Sequence, residues 1–216
     1  MLSMIYSSTS GTNVLTPIYK NEYTYDANNN QLTQKNYSWD SATNSYTPSN
    51  FNEFFYDASN NQILWNIYGW GGSAYEIMSK EEYTYDINNN LVLHARFLWD
   101  PIITAWQNHS KIDYLFDINN NMIFEEYLGW NVLTNSWLNS YKKYWLYDNN
   151  NNLLLKKNYS YNSAINTWEG IYHEENTYDA SNNMINQVRS QWNFAGYWES
   201  IDSCYATYNL LSQVNY

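Results

Sequence analysis

The sequence predicts an all-β fold: an antiparallel meander of about 13–14 strands, built from tandem hairpins and rolled or closed into a barrel or spiral. Three observations predict it. One short motif returns in register along the chain. The residues before each motif alternate polar and aromatic. The composition joins strand formers (24 Tyr, 11 Trp and 7 Phe) to clustered Asn, a turn former, without Ala/Glu/Leu-rich stretches.

The motif Tyr25-Asp26-Ala27-Asn28-Asn29-Asn30 returns as Tyr56-Asp57-Ala58-Ser59-Asn60-Asn61. It returns again at Tyr85-Asp86, Phe116-Asp117, Tyr147-Asp148 and Tyr178-Asp179. The aspartates are 31, 29, 31, 31 and 31 residues apart. A fixed period of this size marks a repeat architecture. The units run over 15–45, 46–74, 75–105, 106–136, 137–167 and 168–197, with a partial unit at 198–216, in a single repeat domain over 1–216. The partial unit carries a decayed motif at Tyr208-Asn209.

With each aspartate as position zero, further columns emerge. An aromatic stands at minus one in every copy, and at minus three in Tyr23, Phe54, Tyr83, Tyr114 and Trp145. An acid stands at minus four in Glu22, Glu53, Glu82, Asp113 and Glu175. A lysine stands at minus six in Lys20, Lys80, Lys111 and Lys142. An aliphatic stands at plus six: Leu32, Ile63, Val92, Ile123, Leu154 and Ile185. An aromatic stands at plus thirteen: Trp39, Trp70, Trp99, Trp130, Tyr161 and Trp192. Another stands eleven residues before the next motif: Tyr46, Tyr75, Trp106, Trp137, Trp168 and Trp198.

These columns predict the strands. Lys80-Glu81-Glu82-Tyr83-Thr84-Tyr85 has the period of two of a half-buried strand. The Asn cluster then breaks the chain, because Asn tolerates the left-handed conformation that tight hairpin turns need. A second strand follows and ends at the plus-thirteen aromatic. A second turn leads to the next unit, and the aromatics on either side of it are expected to pair across the strands. The short second turn Trp70-Gly71-Gly72-Ser73-Ala74-Tyr75 accounts for the spacing of 29. Pairing of minus two with plus six across the Asn turn is expected, in preference to pairing of minus one with plus six, which would need a bulge to flip the strand before plus eleven. The preferred pairing would gather the aromatics on one face and set the aliphatics and charges on the other.

The formal net charge is −11, which disfavours nucleic acid and anionic membrane surfaces as partners. A single cysteine, Cys204, excludes an internal disulfide or a cysteine-based zinc site. No apolar run is long enough for a membrane helix, so no membrane insertion is expected. Met1-Leu2-Ser3-Met4 lacks the basic region and apolar stretch of a signal peptide.

The core Tyr23-Thr24-Tyr25-Asp26-Ala27-Asn28-Asn29-Asn30 resembles the YD (RHS-like) repeats of bacterial surface and toxin proteins. The paired tryptophans look more like the long hairpin repeats of secreted, surface-anchored bacterial proteins. Those repeats carry Gly where Asn29, Asn60, Asn89, Asn120, Asn151 and Asn182 stand here. The period is longer than in typical YD repeats, and a C-terminal sorting tail is absent. The resemblance covers roughly residues 15–209 and implies an extracellular or cell-surface β protein acting in carbohydrate binding, adhesion or encapsulation.

The candidate carbohydrate-binding residues are Trp39, Trp70, Trp99, Trp106, Trp130, Trp137, Trp168, Trp192 and Trp198. A flat ring stacks on the apolar face of a sugar, and regular spacing suits a polymer. The competing role for these rings is the core itself. The Asp-x-Asn-x-Asn triplets resemble half of a calcium loop, but lack its sixth-position Gly and twelfth-position acid. Turn capping by the aspartate is the expected role, and no metal or other cofactor is implied. The acids at minus four beside the lysines at minus six read as a salt-bridge ladder rather than a catalytic pair. His94, His109 and His173 fall at different repeat positions. No catalytic residue is identified, and the chain is not expected to be an enzyme. The alternatives to a carbohydrate-binding module are a structural, self-assembling repeat and an unfamiliar glycan-active enzyme.

Overall fold

The computed structural model describes residues 2–9, 15–193 and 195–205. They form fourteen strands and, among the described residues, no helix. The strands are β1 (Leu2–Thr9), β2 (Leu15–Tyr25), β3 (Gln31–Asp40), β4 (Ser45–Tyr56), β5 (Gln62–Trp70), β6 (Tyr75–Tyr85) and β7 (Leu91–Asp100). They continue as β8 (Ala105–Phe116), β9 (Met122–Asn131), β10 (Ser136–Tyr147), β11 (Leu153–Asn162), β12 (Thr167–Tyr178), β13 (Met184–Trp192) and β14 (Trp198–Tyr205). Strand order is chain order, an antiparallel meander whose two ends are β1 and β14. The meander stands as expected; closure into a barrel is not part of this order. The decayed motif at Tyr208-Asn209 lies outside the described residues.

The chain divides into two compact units, Met1–Lys111 and Ile112–Tyr216, with the division inside β8. In the first unit, Asn turns join β2 to β3, β4 to β5 and β6 to β7, and second turns join β3 to β4 and β5 to β6. In the second, Asn turns join β10 to β11 and β12 to β13. Second turns there join β9 to β10, β11 to β12 and β13 to β14.

All six Asn turns share one construction. The aspartate N–H donates to the carbonyl of the Asn four residues on, and the N–H of the Asn three residues on donates back to the aspartate carbonyl. That third Asn has φ of 63–65° in every copy. This is a three-residue hairpin loop, a tight turn followed by one left-handed residue. The aspartate fastens it. Its Oδ1 accepts the N–H groups two and four residues on, at 2.8–2.9 Å. Its Oδ2 accepts the side-chain amide of the fourth residue, at 2.9–3.0 Å. Turn capping is thus the work of these carboxylates.

The third Asn also explains why Gly does not stand there. Its Oδ1 accepts the second amide hydrogen of the preceding unit's fourth Asn. The bonds run Asn30 to Asn60 (2.8 Å) and Asn61 to Asn89 (2.9 Å) in the first unit. In the second they run Asn121 to Asn151 (2.8 Å) and Asn152 to Asn182 (2.9 Å). Gly would relieve the positive φ but break this ladder. Asn60→Gly is therefore expected to lower stability by about 0.5–1 kcal/mol. Asn60→Ala, which also strains the turn, loses about 1 kcal/mol more. Urea midpoints of the two variants check the order.

Two bulges per unit correct the expected register. Tyr25 pairs with Gln31 and Thr24 with Thr33, so Leu32 is the extra residue. Ile63, Val92, Leu154 and Ile185 occupy the same place. The plus-six aliphatic thus pairs with neither minus two nor minus one. A second bulge falls at minus eight, for example at Ile18, Ser49, Met78 and Ile171. The expected single aromatic face is therefore wrong. The rings at minus one and minus three share one face. The rings at plus thirteen and minus eleven share the other with the lysines and glutamates, as the pairings Lys20 with Tyr37, Glu22 with Lys35 and Trp39 with Tyr46 show. Each bulge adds a residue to one strand, so the side chains beyond it change faces relative to the partner.

Burial is partial nearly everywhere. Among the described residues Ala95 is the one buried hydrophobic residue, and no large side chain is fully buried. The rings are half-covered by their neighbours in the sheet. Tyrosines at minus one add direct ties between units. The hydroxyls of Tyr56, Tyr85 and Tyr178 donate to the carbonyls of Gln31, Gln62 and Leu153 at 3.0–3.1 Å.

Candidate functional site

Every second turn carries the expected cross-strand aromatic pair. Trp39–Tyr46, Trp70–Tyr75 and Trp99–Trp106 in the first unit have centroids 4.9–5.2 Å apart and interplanar angles of 69–71°. Trp130–Trp137, Tyr161–Trp168 and Trp192–Trp198 in the second have 4.9–5.1 Å and 65–79°. These are edge-to-face contacts, the geometry that ring quadrupoles favour. All nine candidate tryptophans belong to such pairs, and all nine are half-buried. They are therefore neither core nor free platforms, because each ring gives one side to its partner.

A polar row runs beside them on the same face. Lys20 Nζ lies 2.9 Å from Glu22 Oε1, and Lys80 Nζ pairs with Glu82. Each lysine also rests against aromatic rings of its own and the next unit. Lys20 lies 4.2 Å from the Tyr37 centroid, Lys80 5.0 Å from Trp106 and Lys142 4.1 Å from Trp168. Tyr37 and Tyr68 donate to Glu22 (2.8 Å) and Glu53 (2.6 Å). Burial, then the bond to Glu53, pushes the Tyr68 hydroxyl up to about 12. The bonds from Lys20 and Tyr37 hold Glu22 below the usual carboxylate range. These glutamates are anchored structural groups.

The histidines take separate roles. His94 stacks on Tyr83 at 4.6 Å and lies 2.7 Å from Glu81. His109 is exposed. His173 is buried beside Trp198, and its Nε2 is 3.1 Å from Glu175 outside hydrogen-bonding direction. Burial, then nearby Lys157, lowers its pKa.

Notches open beside the tryptophans. The ladder between β6 and β7 begins at Ser79 with Leu98, and that between β12 and β13 at His173 with Ser190. Residues before these points have no ladder partner on that side. In the first unit, Glu76, Ile77, Met78, Trp99 and Pro101 line a notch of about 530 Å³. In the second, a notch of about 590 Å³ lies among Trp168, Glu169, Gly170, Trp192 and Gly196. Both volumes fall in the range of small-ligand sites. A Cβ on Gly170 would lie 2.5 Å from the Trp198 ring and 2.7 Å from Trp192, so this glycine admits the ring pair. Grooves of 350–550 Å³ also lie between successive Asn turns and take in the aliphatics Leu32, Ile63 and Leu154.

Sequence reasoning located the tryptophans but missed Glu76 and Glu169. They stand at minus ten, a column otherwise filled by Thr16, Thr47, Gln107, Leu138 and Glu199. Only the splaying of the strands brings them to a notch with Trp99 and Trp192.

No protein-family model matches the chain, and no curated protein does. Several solved structures are similar. A DUF3836 family protein from Bacteroides vulgatus is 24% identical over 42% of this chain and 90% of its own, with a TM-score of 0.34. A protein of unknown function from Bacteroides fragilis is 16% identical over 80% of this chain and 90% of its own, also at 0.34. The Tc holotoxin pore of Photorhabdus luminescens is 16% identical over 84% of this chain and 9% of its own, at 0.42. These likenesses assign neither family nor activity; the β-hairpin repeat stands on the chain's own strands.

Proposed function

We propose that the chain is an extracellular or cell-surface repeat module of the YD (RHS-like) kind that binds carbohydrate polymer, without catalysing its cleavage. One observation carries this reading. Each compact unit presents three half-buried edge-to-face aromatic pairs, and a notch opens beside the Trp99 pair in the first unit and beside the Trp168 and Trp192 pairs in the second. Pairs two strands apart recur at roughly 9.5 Å. That spacing is of the order of two sugar residues in an extended chain, so successive pairs engage one polymer and gain by multivalency. Carboxylates and amides at the notches supply partners for sugar hydroxyls.

A purely structural, self-assembling role is the second reading. It is favoured by the scarcity of buried side chains, which leaves much apolar surface to be covered by other chains. Tryptophan fluorescence titrations and pull-downs with soluble and insoluble polysaccharides separate the two. Binding by the native protein, weakened at least tenfold in Trp99→Ala/Trp192→Ala, supports the first. Failure of every glycan to bind leaves the structural role.

A further inference from the structure

Among the described residues, β1 pairs with β2 alone and β14 with β13 alone. The repeat shows what each of these open edges fits. β1 stands in the place of an odd-numbered strand. Its pairs Thr9 with Leu15, Ser7 with Pro17 and Tyr6 with Tyr19 match Trp39 with Tyr46, Tyr37 with Pro48 and Asn36 with Asn50, bulge included. β14 stands in the place of an even-numbered strand. Its pairs Trp198 with Trp192, Ser200 with Ser190 and Asp202 with Arg189 match Trp168 with Tyr161, Gly170 with Tyr159 and Tyr172 with Asn158, again with the bulge.

Every other even-numbered strand bonds, on its far side, to an odd-numbered strand. β14 is thus the first strand of an Asn-turn hairpin without its second, and β1 the second without its first. The β2–β3 ladder gives the register of such a hairpin: Tyr19 with Ser38, Lys20 with Tyr37, Asn21 with Asn36 and Glu22 with Lys35. Carried onto the open edges, this register sets Asp202 opposite Ser8, Ser203 opposite Ser7, Cys204 opposite Tyr6 and Tyr205 opposite Ile5.

The residues on the two edges depart from the inner columns together. Where Glu22 meets Lys35, the edges bring Tyr205 and Ile5. Where Lys20 meets Tyr37, they bring Ser203 and Ser7. An ion pair is exchanged for an apolar pair, and a large pair for a small one, on both edges at once. Ile5 is 60% exposed and Tyr205 74%. β1 also carries no charge and no proline, the residues that ordinarily keep an edge strand from pairing.

We propose that copies of this chain join head to tail, with β14 of one paired antiparallel to β1 of the next. One complete unit is rebuilt at each junction. Backbone hydrogen bonds hold the strands together, and Tyr205 against Ile5 fixes the register. The two edges are unlike, so the contact is heterologous and builds rings or open filaments rather than two-fold dimers. This is a contact of strand edges, not of aromatic faces, and it does not depend on the carbohydrate reading.

Sedimentation of the full chain under reducing conditions tests it. The weight-average mass is expected to rise with concentration beyond that of a dimer. Ile5→Glu/Tyr205→Glu sets like charges across the junction, while position 5 still faces Lys20 of its own sheet. It is expected to raise the concentration for half-assembly at least about tenfold. Ile5→Glu/Tyr205→Lys sets opposite charges there and is expected to restore assembly, and both variants are expected to keep the native circular dichroism. Directly opposed strand residues lie within disulfide reach. Oxidised Tyr6→Cys is therefore expected to link to Cys204 of the next copy and give a ladder of covalent oligomers on a non-reducing gel. Tyr6→Cys/Cys204→Ser is expected to stop at dimers. A chain that stays monomeric, assembly indifferent to the like charges, or a disulfide closed within one copy overturns the proposal and leaves glycan binding untouched.

Discussion

Trp106→Ala lowers the free energy of unfolding by about 2–4 kcal/mol. The half-buried ring contributes about 1–1.5 kcal/mol, half of what full burial would give. Its edge-to-face contact with Trp99, at 5.2 Å and 69°, adds about 0.5–1.5 kcal/mol. The Lys80 ammonium 5.0 Å from its centroid adds about 0.5–1 kcal/mol. Urea titration followed by circular dichroism measures the total. A double-mutant cycle with Trp99→Ala isolates the ring pair, with a coupling of about 0.5–1.5 kcal/mol. Replacing Leu32, an exposed residue at a bulge, is expected to cost much less. Stability in a repeat protein is nearly a sum over units and their interfaces. A Trp106 loss below about 1 kcal/mol, or a coupling near zero, would mean that the pairs follow the fold without holding it.

What could be read from the sequence follows from what a repeat displays. The motif aspartates, the Asn turns and the rings at plus thirteen and minus eleven recur at constant spacing, so their columns give strand number, turn positions and cross-strand pairs directly. The faces were not legible in the same way. A bulge at Leu32 or Ile18 leaves the spacing of the columns unchanged while inverting which side chains meet. The aliphatic at plus six was visible as a column, but its role as the unpaired residue of a bulge emerges only from pairing. Asn in place of Gly at plus three was visible too. Its reason is the amide bond to the next unit, as from Asn30 to Asn60, a contact thirty residues away in sequence. Glu76 and Glu169 stand in a column of mixed residue type, so their place in the lining of the same notches as Trp99 and Trp192 is a property of the folded strand ends alone.

The turns predict a steep acid limb. Asp26, Asp57, Asp86, Asp117, Asp148 and Asp179 all titrate below their ordinary value. Hydrogen bonds from the Asn four residues on are the leading cause in each, through its side-chain amide in most copies and through its backbone N–H at Asp57. A carboxylate whose folded pKa lies below its unfolded value of about 3.9 contributes stability above that value. The contribution is lost as pH falls through the folded value. Stability is therefore expected to hold down to about pH 5 and then decline steeply, with several protons taken up on unfolding. Asp57→Asn/Asp86→Asn keeps an acceptor oxygen but no titrating group, and is expected to flatten the limb while lowering stability at neutral pH. The same columns predict an alkaline limb of opposite sign. Burial, then the aspartate of the preceding turn, raises Tyr56, Tyr85, Tyr147 and Tyr178. Their contribution is present below about pH 10 and lost as pH rises through the folded values. Urea midpoints measured from pH 2.5 to 11 trace both limbs. An acid slope unchanged in the double variant would place the titrating groups elsewhere, with Glu22, Glu81 and Glu174, which also titrate below their ordinary value, next in line.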